Sequence, residues 1–145
     1  MPENSPQNLA NHGRLDPPFH FFLLPVLLVL WIASVVFLVR HPDWLHLWFV
    51  VLATALAVTV VKTRTYAIKV QDRVIRLEQR IRLTALLPES LRPQIAKLSE
   101  GQLIGLRFAS DEEMPILIQR ALSENLSRAD IKKAIKNWQP DYWRV

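Results

Sequence analysis

The sequence predicts an all-α protein built as a membrane-spanning helical hairpin, a long juxtamembrane amphipathic helix and a small C-terminal cytoplasmic helical module. Three observations predict it. Two apolar runs, Phe19 to Val39 and Leu45 to Val61, are separated only by Arg40-His41-Pro42-Asp43-Trp44. A basic stretch follows the second run, with no helix breaker before Pro88. Beyond Pro88, Ser-led capping patterns introduce short amphipathic segments. The chain thus divides into a flexible N-terminal arm (1–18), a two-span hairpin (19–61), a basic juxtamembrane helix (62–87) and a helical module (88–145).

The arm is polar, rich in Asn, Gln and Pro, and aperiodic, and Pro17-Pro18 predict an extended approach to the membrane. In the first span only His20, Pro25 and Ser34 are not plainly apolar. Such a helix satisfies its own backbone, and at about 1.5 Å per residue it crosses a hydrocarbon core of about 30 Å. Pro25, near the start, is either tolerated or kinks the helix. The second span is framed by amphipathic anchors, Trp44 and Trp48 at one end, Lys62, Arg64 and Tyr66 at the other. So short a connection makes the helices antiparallel. Arg40 and Asp43 then suit the adjoining helix dipoles, and Pro42 suits a first turn. Ala53 and Ala57 form a small-xxx-small pair that admits a close neighbour, either the first span near Ala33 and Ser34 or another copy. A buried soluble hairpin fits less well, because core helices rarely run this long without a charge. A cleaved signal peptide fits less well too: only Arg14 precedes the run, against Glu3 and Asp16, and no A-x-A-like site follows.

The chain has 145 residues, half of them apolar, and a formal charge of +5. Residues 62–82 carry seven basic side chains against Asp72 and Glu78, so this belt accounts for the whole excess. Lys62, Arg64, Lys69, Arg73, Arg76, Arg80 and Arg82 are therefore candidate lipid-headgroup contacts. The positive-inside rule places the C-terminus in the cytoplasm, and an even number of spans places the N-terminus there as well. Cysteine is absent, which removes disulfides, thiolate metal sites and thiol nucleophiles.

Along the basic helix, Ala67, Val70, Val74, Leu77, Ile81 and Thr84 alternate in steps of three and four. Val70, Val74, Leu77 and Ile81 form a candidate packing seam, with Ala67, Val74 and Ile81 at a and Val70, Leu77 and Thr84 at d. In a parallel homodimer Arg73 at g would face Glu78 at e of the partner helix. The alternative is that the stripe packs on the chain's own C-terminal helices. Asp72 with Arg76 and Glu78 with Arg82 predict supporting i,i+4 pairs.

In the module, Ser99 with Gln102, Ser110 with Glu113 and Ser127 with Asp130 mark helix starts. A short helix is expected from Ser90 to Leu98. Met114, Leu117, Ile118, Ala121 and Leu122 keep helical spacing, as do Ile131, Ala134, Ile135 and Trp138 up to a stop at Pro140. A core this small is marginal alone, so the module leans on the long helix or a partner. Trp138, Tyr142 and Trp143 are a candidate docking tail, unless they fold back on the bundle.

Neither His nor Cys occurs from Pro88 onward, and Asp111, Glu112 and Glu113 are explained by a helix first turn. Gly101 and Gly105 lack the flanking pattern of a phosphate loop. His20 and His46 fall at opposite ends of the hairpin, and His41 lies at the interface beside His46, so haem or pigment ligation is not assigned. No catalytic, cofactor or metal residue is predicted. Lys132, Lys133 and Lys136 on a helix-turn-helix could face DNA, yet residues 84–145 hold nine basic and eight acidic side chains, without the usual basic footprint.

Several segments carry a resemblance: Gln7-Asn8 through Asn11-His12, Pro18-Phe19-His20-Phe21 with Leu23-Leu24-Pro25, the run Gln102 to Glu113, and Ile131 to Trp138 with Pro140-Asp141-Tyr142. Together the chain resembles a bacterial family of small two-span membrane proteins classed as a domain of unknown function. The resemblance implies a bacterial inner-membrane protein and supplies no activity, cofactor or partner. The expected function is a non-enzymatic anchor or accessory subunit of a membrane complex. The alternatives are a membrane-tethered nucleic-acid binder and a self-assembling scaffold.

Overall fold

A computed structural model describes residues 7–10, 13 and 15–141. Tyr142 and Trp143 of the expected tail lie outside them. The described residues are mostly helical and fall into two units whose boundary lies within one long helix, at Ile68 and Lys69.

The first unit is the helical hairpin. A π-helical stretch, Pro18–Leu23, leads into α1 (Leu24–Arg40). Pro17 is already in the right-handed helical region and Pro18 opens the first turn, so the expected extended approach is replaced by a helix start, where a missing N–H costs nothing. Pro25 does not break the helix. The wider π turn, with the Leu24 N–H bonded to the Phe19 carbonyl, precedes it and absorbs the proline's missing donor. α2 (Trp44–Leu86) begins after a three-residue connection at 41–43. Asp43 caps it: the His46 N–H donates to Asp43 Oδ1 at 2.9 Å, and His46 Nδ1 meets the same oxygen at 2.7 Å. Pro42 therefore lies outside the first turn rather than in it.

The two helices are antiparallel. Trp31 Nε1 donates to Thr54 Oγ1 at 3.1 Å, and at the far end Arg64 pairs with Asp16 at 3.5 Å and lies over the Phe19 ring. Thr54, Thr59, Thr63 and Thr65 each donate to the carbonyl four residues back, which satisfies their hydroxyls within the helix. Both helices are long and apolar enough to cross a membrane, and almost none of their apolar windows is buried. A soluble core hairpin would bury them.

The second unit packs the module on the end of α2. Ile75, Gln79 and Leu83, spaced by four, are its buried face, and Leu87 just past its end continues it. A 3-10 turn, Arg92–Lys97, replaces the helix expected from Ser90 to Leu98, because Leu98 and Ser99 must be extended to cap the next helix. α3 (Glu100–Leu106) starts with the reciprocal Ser99–Gln102 capping box. α4 (Met114–Ser123) starts later than its Ser110 pattern predicts. Ser110 N–H does donate to Glu113 Oε1, but Pro115 sets the first turn at Met114 and the Ser110 hydroxyl is not used as a cap. α5 (Arg128–Ala134) is capped by Ser127, whose hydroxyl accepts from the Asp130 N–H. It ends a turn before Trp138, so Pro140 does not stop it. Ile135 is extended, and Ala109 bridges antiparallel to Trp138 through Gln139 N–H to Phe108 O (2.7 Å) and Ser110 N–H to Asn137 O (3.1 Å).

Candidate functional site

The expected headgroup contacts and packing seam lie along α2, whose sides carry different chemistry past Lys69, whereas Trp138 lies in the module. One side holds the module. Arg76 pairs with Glu100 and donates through Nε to the Asp72 carbonyl. Arg82 donates through Nε to Asp111 Oδ1 at 2.9 Å, and through Nη2 to the carbonyl of Ala109 (2.8 Å) and Oε1 of Gln139 (2.7 Å). One guanidinium thus clasps the turn after α3 and the returning C-terminal segment together, a use of the planar fork that lysine cannot reproduce. These bonds correct the sequence reading: the side-chain pairs Asp72–Arg76 and Glu78–Arg82 are not formed, because both arginines reach across to the module.

The basic belt therefore splits. Arg64 is committed to Asp16, Arg76 to Glu100 and Arg82 to the module, whereas Lys62, Lys69, Arg73 and Arg80 are exposed.

Of the two readings of the seam, packing on the module is not the one taken. Val70, Val74, Leu77 and Ile81 remain 62, 48, 61 and 63% exposed, so they do not pack on the chain's own module. The module takes Ile75, Gln79 and Leu83 instead, which lie at b, f and c of the same heptad.

Trp138 is half-buried and tilts against Phe108 with ring centroids 5.0 Å apart, so this member of the expected docking tail folds back. Its neighbours are pinned as well. Glu113 accepts from the Lys136 N–H at 3.1 Å and the Asn137 N–H at 3.4 Å. Gln7 and Asp141 exchange two hydrogen bonds, the Asp141 N–H donating to Gln7 Oε1 at 2.9 Å. Of the helix-turn-helix candidates, Lys132 lies over the Phe108 ring and Lys133 pairs with Asp130 at 3.9 Å, on a helix of only seven residues.

The run Gln102 to Glu113 is the module's internal fastening. Buried Gln102 donates to the carbonyls of Ala121 (2.9 Å) and Leu126 (3.2 Å), while its Oε1 accepts from the Ser99 N–H. Gly105 lets α5 approach, since a Cβ there would meet Ile131 and the Arg128 carbonyl at 3.3 Å. Arg107, also buried, pairs with Asp141 at 3.2 Å and stacks on Phe108. The chain belongs to a family of unknown function, DUF6526. Its family model matches residues 2–145, the whole length of the sequence bar Met1. No curated protein and no solved structure matches the chain.

Sequence reasoning missed the roles of Arg82, Arg107 and Glu113 in this DUF6526 chain because their partners are distant in sequence. A basic or acidic residue flanked by apolar ones in a small module, as in Leu106-Arg107-Phe108, is the signal that could have found one of them.

Proposed function

We propose that this protein is a non-enzymatic, two-span anchor of the bacterial inner membrane that holds its helical module on the cytoplasmic side, as an accessory subunit of a larger membrane complex. The carrying observation is continuity: the helix that forms the second apolar segment is the same helix on which the module is built, through Ile75, Leu83, Arg76 and Arg82. The module's packing and ion pairs are made with the C-terminal part of that helix, from Ile75 to Leu83. The orientation is supported by Lys62, Lys69, Arg73 and Arg80, which stay exposed just past the second segment, where anionic lipid of the inner leaflet would attract them. A non-enzymatic role is supported by a module without histidine or cysteine, whose buried Arg107 and half-buried Glu113 bond to its own segments.

The test is native electrophoresis of the tagged full chain extracted in mild detergent, with mass spectrometry of the band. A stoichiometric second protein co-migrating with it supports the accessory role; migration only at the mass of the chain or its multiples overturns it.

Self-assembly is the second reading, favoured by the exposed seam on α2.

A further inference from the structure

We infer that the face of α2 formed by Val70, Val74, Leu77 and Ile81 is covered by the same face of a second copy, in a parallel, two-fold symmetric pair. The inference rests on the membrane placement proposed above, because only helices inserted in the same sense run parallel without further cause.

Three observations select a second copy as the occupant. First, from Val70 to Ile81 the exposed apolar positions of α2 are the a and d positions of one register, with β-branched Val74 and Ile81 at a and Leu77 at d after Val70, and β-branched a with Leu at d is the combination that favours two parallel strands. Second, between Ile75 and Leu83 the module covers b, c and f of that register and leaves the a/d side exposed, the side a second α2 needs. Third, the flanking charges are self-complementary. Arg73 at g and Glu78 at e make no ion pair among the described residues, because the arginines that sequence spacing would give to Asp72 and Glu78 are drawn to Glu100 and Asp111. In a parallel pair each Arg73 meets the other copy's Glu78, twice by symmetry. Arg80 at g faces Ala85 at e, and no like charges oppose.

The seam has fewer than three heptads, too few to hold two soluble chains. Confinement of both copies to one bilayer, at the same depth and with the same orientation, supplies the missing effective concentration and sets the register.

The absence of native cysteine gives a direct test. Single substitutions Val74→Cys, Leu77→Cys and Ile81→Cys, with Lys69→Cys as the exposed control at c, are placed in the full chain and oxidised in isolated membranes. Disulfide formation needs Cα atoms roughly 4.4–6.8 Å apart, which paired a and d positions satisfy and c positions do not. The expected result is a disulfide-linked dimer at the three seam positions and none at Lys69→Cys. Adding Arg73→Glu lowers the yield roughly fivefold, and adding Glu78→Arg to that restores it. The inference is overturned by seam cysteines that link no more than the control, by a product of another mass, or by a yield indifferent to the charge reversal. A chain found in the soluble fraction overturns the membrane placement and this inference together, whereas a membrane-bound chain that fails to cross-link overturns this inference alone.

Discussion

Gln102 shows how much a single side chain holds in so small a module. It caps α3 from the inside and also bonds two carbonyls at the end of α4 and beyond, so Gln102→Ala removes a donor from the Leu126 carbonyl and an acceptor from the Ser99 N–H, while the Ala121 carbonyl keeps the Leu126 N–H. The expected loss is about 1–3 kcal/mol, read as a lowered melting temperature of the module in detergent. Gly105→Val should cost about 1–3 kcal/mol by the same measurement, since the added carbons have no room against Ile131. Acid sensitivity also belongs to single residues. The Ser127 hydroxyl, then the Lys133 charge, hold the Asp130 carboxyl below its ordinary value of 3.8, and the Arg120 guanidinium does the same for Glu124. Their contribution is complete above the ordinary values and is lost as the pH falls through the lowered ones. Melting of the native chain should therefore fall more between neutral pH and about pH 3 than that of Asp130→Asn.

At the scale of the element, α2 is the organising unit. Its 43 residues extend about 65 Å, roughly twice a hydrocarbon core, and its sides change role along that length. The sequence showed its extent, because no Pro or Gly interrupts it, and it showed the a/d stripe. What it could not show was which stripe the module would take. The buried face runs Ile75, Gln79, Leu83, Leu87, and the polar Gln79 interrupts its hydrophobic signal. Gln79 Oε1 is buried and accepts no hydrogen bond among the described residues. Gln79→Met is expected to raise the module's stability by about 1 kcal/mol, measured by thermal unfolding, because it removes a desolvated acceptor while keeping the volume. The same limit explains the shortened α5: Trp138 sits at helical spacing in the sequence, but bonds to the Glu113 carboxylate and to the Phe108 and Ser110 backbone hold that segment out of the helix in an isolated bridge. Long-range partners of this kind leave no periodicity to read.

For the whole molecule, the division into an apolar hairpin and a helical module was legible because hydrophobicity and turn chemistry are local. The ties that make the module one body were not, since Arg82 to Gln139, Arg107 to Asp141 and Gln7 to Asp141 join residues far apart in the chain. Everything proposed about function depends on the hairpin crossing the bilayer with its connection outside. The cysteine-free sequence makes this measurable by labelling intact cells with a membrane-impermeant maleimide. His41→Cys, in the connection between α1 and α2, should label in intact cells, and Ser123→Cys, at the end of α4, should label only after lysis. Labelling of Ser123→Cys in intact cells, or protection of His41→Cys until lysis, would contradict the account.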